Sequence, residues 1–94
     1  MADADAKALS ARISGRVQGV GFRMQARSRA VRLGLTGWVR NEPDGSVRVE
    51  AEGPDDAIES FRSWLASGPP GAWVTSVDAQ TGPAEGRFNR FTIR

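Results

Sequence analysis

Gly15-Arg16-Val17-Gln18-Gly19-Val20-Gly21-Phe22-Arg23 is the point at which a strand-like pattern turns into a helix-like one. Upstream, Leu9, Ala11 and Ile13 alternate with polar positions, which predicts a half-buried strand from Lys7 to Arg16. Downstream, Phe22, Ala26, Ala30 and Leu33 recur at helical spacing, with Gly34 placed to end the helix. The glycine-bearing loop between them gives a strand–loop–helix junction. Such a junction gathers backbone N–H groups at one point, and the helix N-terminus adds partial positive charge. Arg23 falls in the first helical turn, where a cation opposes the helix dipole by a few tenths to ~1 kcal/mol. An anion at that point turns the misplacement into a binding site.

The rest of the chain extends the pattern. Thr36 to Asn41 reads as a second strand and Pro43-Asp44-Gly45 as a hairpin turn. Val47, Val49 and Ala51 alternate with Ser46, Arg48, Glu50 and Glu52, which gives a third strand. Gly53-Pro54-Asp55-Asp56 opens a second helix, with Pro near its first position and acids in its first turn. Its apolar stripe is Ala57, Ile58, Phe61 and Leu65, and Gly68-Pro69-Pro70-Gly71 stops it. Ala72 to Thr81 forms a fourth strand whose imperfect alternation predicts a bulge. Gly82 to Gly86 is a loop, and Arg87 to Arg94 a short last strand carrying Phe88, Phe91 and Ile93.

The order β-α-β-β-α-β plus a terminal strand defines an α+β, ferredoxin-like split βαβ domain. Both helices are expected on one face of one sheet. The connection rules make the first and second strands parallel, with the third between them. The loop after the first strand and the end of the second then share one sheet edge, about 10 Å apart. Arg23 and Asn41 meet there. A guanidinium grips two phosphate oxygens at once. An Asn amide offers a donor and an acceptor and can hold a water in a set direction. Taken singly, Asn41 is a turn former, Arg23 a solvated surface cation, and Trp38, Trp64 and Trp73 packing residues.

Composition narrows the chemistry. The 94 residues make one domain, read as 7–94 behind a flexible tail of residues 1–6. The chain contains no Cys and no His, which removes thiol and imidazole nucleophiles, disulfides and the usual zinc sites. No apolar run approaches the ~20 residues that span a bilayer. The acidic N-terminus does not read as a signal peptide, so a cytoplasmic location is expected. A net charge of +2 is too small to imply nucleic acid, and the first and third strands lack the aromatics that RNA-stacking modules need. A monomer is the default expectation.

The first motif closely resembles the first signature of the acylphosphatases. Gly37-Trp38-Val39-Arg40-Asn41, followed by Asp44-Gly45-Ser46-Val47 and later Gly53, resembles the second. Order and spacing agree, and the resemblance covers about Lys7 to Arg94. It implies hydrolysis of the carboxyl–phosphate bond of a small-molecule acyl phosphate, with inorganic phosphate as product and inhibitor and no metal or cofactor. Carried over by position, Arg23 binds the phosphoryl group and Asn41 orients the attacking water. The loop Arg16, Val17, Gln18, Gly19, Val20 and Gly21 cradles the phosphate through main-chain N–H groups. Glu42 departs from the family pattern, which often has a small hydroxyl residue there; an extra carboxylate is expected to weaken anion binding. The alternatives are a non-catalytic ferredoxin-like regulatory or anion-binding module, or a relative of the acylphosphatase-like domain of hydrogenase-maturation carbamoyltransferases. That domain usually heads a much longer chain.

Overall fold

The computed structural model describes residues 6–94. The elements run β1 (Ala6–Arg16), α1 (Phe22–Arg32), β2 (Thr36–Asn41), β3 (Val47–Pro54), α2 (Asp55–Ser67), β4 (Trp73–Pro83) and β5 (Phe91–Ile93). One five-stranded sheet has the order β4-β1-β3-β2-β5. β3 pairs antiparallel with both β1 and β2, so β1 and β2 run parallel on either side of it. β5 pairs parallel with β2, which makes the sheet mixed. This is the expected ferredoxin-like α+β arrangement. No helix among the described residues is long and apolar enough to cross a membrane.

Period-2 burial on the strands and period-3.6 burial on the helices meet in one core. Leu9, Ala11 and Ile13 of β1 and Val47, Val49 and Ala51 of β3 point to the same side. Phe22, Ala26 and Ala30 of α1 and Ala57, Ile58, Phe61 and Leu65 of α2 pack onto them, so both helices cover one face. Phe61 meets Phe91 edge to face at 5.9 Å, tying α2 to β5. The end of α1 is closed by Gly34 N–H donating to the Val31 carbonyl and Leu35 N–H donating to the Ala30 carbonyl. Buried Leu35 sits beside Ala30, the apolar contact that accompanies this closure.

Several boundaries move. Ala6 pairs with Pro54 and begins β1, while the rest of the expected tail lies outside the described residues. β4 starts at Trp73 and continues to Pro83, into the expected loop, because Lys7 and Ala8 supply ladder partners for Pro83 and Gly82. The bulge is in β4, where pairing jumps from Ser14–Ser76 to Gly15–Val74 and leaves Thr75 over. β5 holds only three residues; Phe88 lies before it, under the Arg87 guanidinium at 4.7 Å. Pro54 ends β3 and caps α2 instead of entering its first turn.

Glu50 and Glu52 of β3 are buried on the side of the sheet away from the helices. The segment between β4 and β5 folds over the helix-free face. Glu52 accepts hydrogen bonds from the N–H groups of Glu85, Gly86 and Arg87, and from Arg87 Nε at 2.9 Å. Glu50 accepts from Ser10 Oγ and pairs with Arg87 and Arg48. Burial pushes the Glu52 carboxyl up, but the Arg87 guanidinium and the three N–H groups outweigh it and hold the group below its ordinary range. On the same face the Trp38 ring carries the Arg40 guanidinium at 4.8 Å and the Arg94 guanidinium at 5.1 Å.

Candidate active site

The register fixes where the two halves of the site meet. Val47 pairs with Ile13 of β1 on one side and with Asn41 of β2 on the other. The parallel strands β1 and β2 therefore deliver the loop 17–21 and Asn41 to the same end of the sheet. Their separation is two strand spacings, roughly 10 Å. A pocket of about 210 Å³ opens there, lined by Val17, Gly19, Gly21, Phe22, Arg23, Met24, Asn41 and Ile93. The expected pair, Arg23 and Asn41, shares this one pocket.

Each loop residue has a separate task. Val17 is buried and anchors the loop in the core, and Val20 packs against the same cluster. Gly19 and Gly21 have φ of 77° and 78°, which L side chains rarely adopt. These two αL residues bend the chain over the helix start. The N–H groups from Gln18 through Met24 find no main-chain acceptor among the described residues; the first bond of α1 runs from Gln25 N–H to the Gly21 carbonyl. Helices ordinarily satisfy such donors with a Ser, Thr, Asp or Asn cap and acids in the first turn. Here the cap is Gly21, no side chain caps the helix, and the first turn carries no acid. These donors stay open at the pocket.

The side chains add charge and an acceptor. Arg23 is exposed and makes no ion pair among the described residues. α1 carries four arginines and no carboxylate, so its field at the pocket is positive. Asn41 Oδ1 is buried and accepts no hydrogen bond from any described residue. A buried acceptor without a partner is costly unless something small donates to it.

Three expected loop members do not line the pocket: Val20, which packs against the core, Arg16 and Gln18. Arg16 is exposed and borders a separate depression with Gly71, Ala72 and Trp73. Gln18 turns its side chain away and donates through Nε2 to the Glu42 and Ser46 carbonyls at 2.8 and 2.9 Å. This brace was missed in the sequence; the available signal was a lone amide side chain between valines and glycines. Glu42 does not line the pocket, and its carboxylate pairs with Arg40 Nε at 3.1 Å. The hairpin after it is closed by Asp44, which accepts from Ser46 N–H and Oγ. The Ser46 hydroxyl is the main reason the Asp44 carboxyl is held below its ordinary range, helped by the Ser46 N–H and Arg12.

Fold and pocket together define a ferredoxin-like domain with a pocket at a strand–loop–helix junction, lined by Arg23 and Asn41. The acylphosphatase family model matches residues 9–93. The chain is 57% identical over 88 residues to an acylphosphatase of Salinibacter ruber, covering 94% of this chain and 93% of that one. The crystal structure of acylphosphatase from Bacillus subtilis superposes with a TM-score of 0.89 at 36% identity, covering 94% and 98% of the two chains. Full-length HypF, in a phosphate- and nucleotide-bound form, matches with a TM-score of 0.81 at 26% identity; 95% of this chain corresponds to 12% of that one. The chain belongs to the acylphosphatase family.

Proposed function

We propose that this pocket hydrolyses acyl phosphates to a carboxylate and inorganic phosphate, with Arg23 holding the phosphoryl group and Asn41 the attacking water. The observation that carries the reading is Asn41 Oδ1, a buried acceptor without a protein partner in the same pocket as Arg23 and the open N–H groups. A water donating to Oδ1 turns a lone pair toward phosphorus. Its oxygen forms the new P–O bond as the bond to the acyl oxygen breaks. The carboxylate leaves with the electron pair. The water's proton passes to a phosphoryl oxygen, since no carboxylate or imidazole lines the pocket.

Phosphoryl transfer goes through a loose transition state, so positioning and charge stabilisation supply most of the catalysis. Arg23 and the N–H groups beside Gly19, Gly21 and the start of α1 face the equatorial oxygens. A carboxylate is a stable leaving group and needs no general acid. This accounts for catalysis by a chain without His or Cys. The family relationship supports the same reaction, and the pocket is lined from a single chain. Among the described residues no group of three or more His, Cys, Asp or Glu side chains is placed to hold a metal.

Initial rates on benzoyl phosphate and glycerol phosphate, with and without EDTA, test the reading. The acyl phosphate is expected to turn over equally with and without chelator, and the alkyl monoester to remain intact. An alkoxide leaves badly without a proton donor or metal. Failure to hydrolyse benzoyl phosphate contradicts the reading and favours a non-catalytic anion-binding module.

A further inference from the structure

Beside Arg23 and Asn41, the pocket is lined by glycines and apolar side chains. Large apolar side chains with substantial exposure among the described residues are Met24, Val31, Trp73 and Ile93. Two of these, Met24 at 72% and Ile93 at 38%, line the pocket that holds Arg23 and Asn41. They come from different elements: Met24 from the first turn of α1 and Ile93 from β5, beside the end of β2. Ile93 pairs with Val39, two residues before Asn41 on the same strand. An exposed methionine and isoleucine therefore flank Arg23 and Asn41, one on the helix side and one on the sheet side.

Resting on the acyl phosphate reading above, we propose that Met24 and Ile93 form the acyl-binding wall and select substrates whose acyl group is uncharged and apolar. With the phosphoryl group on Arg23 and the loop, the leaving carboxylate must point out of the clamp, where these two side chains border the opening. Arg23 is the one charged side chain among the residues lining the pocket, and it is committed to the phosphoryl group. An acyl part with its own phosphate or carboxylate finds no second cation in that lining. An alkyl chain or aromatic ring covers the exposed methylenes instead. Methionine suits this role because its flexible, polarisable thioether adapts to rings and chains of different shape.

The test is the ratio of kcat/KM for benzoyl phosphate to that for acetyl phosphate. A full hydrophobic pocket discriminates about 10- to 200-fold per methylene; an open wall of two side chains falls at the low end. Met24→Ser and Ile93→Thr are each expected to lower the ratio by about tenfold. The inhibition constant for inorganic phosphate is expected to change much less. Val31→Ser removes an exposed apolar residue of α1 outside the pocket and is expected to keep the parent ratio. An unchanged ratio in the first two variants, with turnover of both substrates retained, overturns the acyl wall and leaves the proposed activity standing. An equal fall in Val31→Ser also overturns it. Absence of turnover in the parent chain overturns the activity itself and the acyl wall with it.

Discussion

The Gln18 side-chain amide donates to the carbonyl of Glu42 at 2.8 Å, joining the loop 17–21 to the residue that follows Asn41. A second bond from the same Nε2, to the Ser46 carbonyl, makes the brace two-pronged. The two halves of the site are thus referenced to each other directly, and not only through the sheet. Catalysis that depends on placing a water against a clamped phosphorus is sensitive to shifts of an ångström.

Gln18→Ala is expected to lower stability by about 1–2 kcal/mol, the scale for two part-buried hydrogen bonds. It should also lower kcat/KM by loosening the loop. Gln18→Glu should be worse at neutral pH, because a carboxylate would face two carbonyl oxygens. Denaturant unfolding together with steady-state kinetics measures both. Equal stability of the Ala and Glu variants would contradict the brace.

Arg23→Ala is expected to weaken inhibition by inorganic phosphate and lower kcat/KM by ~10²–10³ or more, the scale for losing a preorganised charge-stabilising donor. Arg23→Lys should rescue poorly, because a point charge lacks the planar fork. Near-normal kinetics in Arg23→Ala would remove it from the site.

Asn41→Ala is expected to lower kcat ~10²-fold while inhibition by phosphate survives. Its melting temperature should be unchanged or slightly raised, because the substitution also removes a buried acceptor without a protein partner. Loss of phosphate affinity with kcat intact would mean that Asn41 holds the phosphate instead of the water.

Glu52 predicts a pH signature remote from the site. Its folded carboxyl sits below the ordinary value of 4.5. A lowered folded pKa gives stability that is fully present above the unfolded pKa and lost as pH falls through the folded one. Glu52→Gln should therefore cost about 1.5–3 kcal/mol at neutral pH, the scale for hydrogen bonds to a charged group. The gap to the parent should close as the pH is lowered below 4.5. Urea unfolding of both proteins across pH 3–7 (roughly the span around that ordinary carboxylate value) checks it; a gap constant with pH would contradict the charge assignment.

The fold was legible because its periodicities are clean. Leu9, Ala11 and Ile13 mark one strand face and Ala57, Ile58, Phe61 and Leu65 one helix stripe, and burial follows both. The meeting of Arg23 and Asn41 in one pocket was legible because the connection rules bring their elements to one sheet edge. What escaped depends on partners far along the chain. Gln18 bonds to carbonyls 24 and 28 residues away, and side-chain-to-backbone bonds leave no pattern in the acceptor's sequence. Glu50 and Glu52 have the spacing of solvent-facing residues, yet Arg87 and its neighbours, from more than thirty residues away, cover them. Met24 and Ile93 have apolar side chains that do not enter the core, and periodicity describes only what enters it.

The most direct measurement of the central claim is the fate of solvent oxygen. Benzoyl phosphate is turned over in ¹⁸O-labelled water and the products are analysed by mass spectrometry. A water held at Asn41 against a phosphorus held by Arg23 places one label in inorganic phosphate and none in benzoate. Label in benzoate would mean attack at the acyl carbon, and would contradict the roles given to both residues.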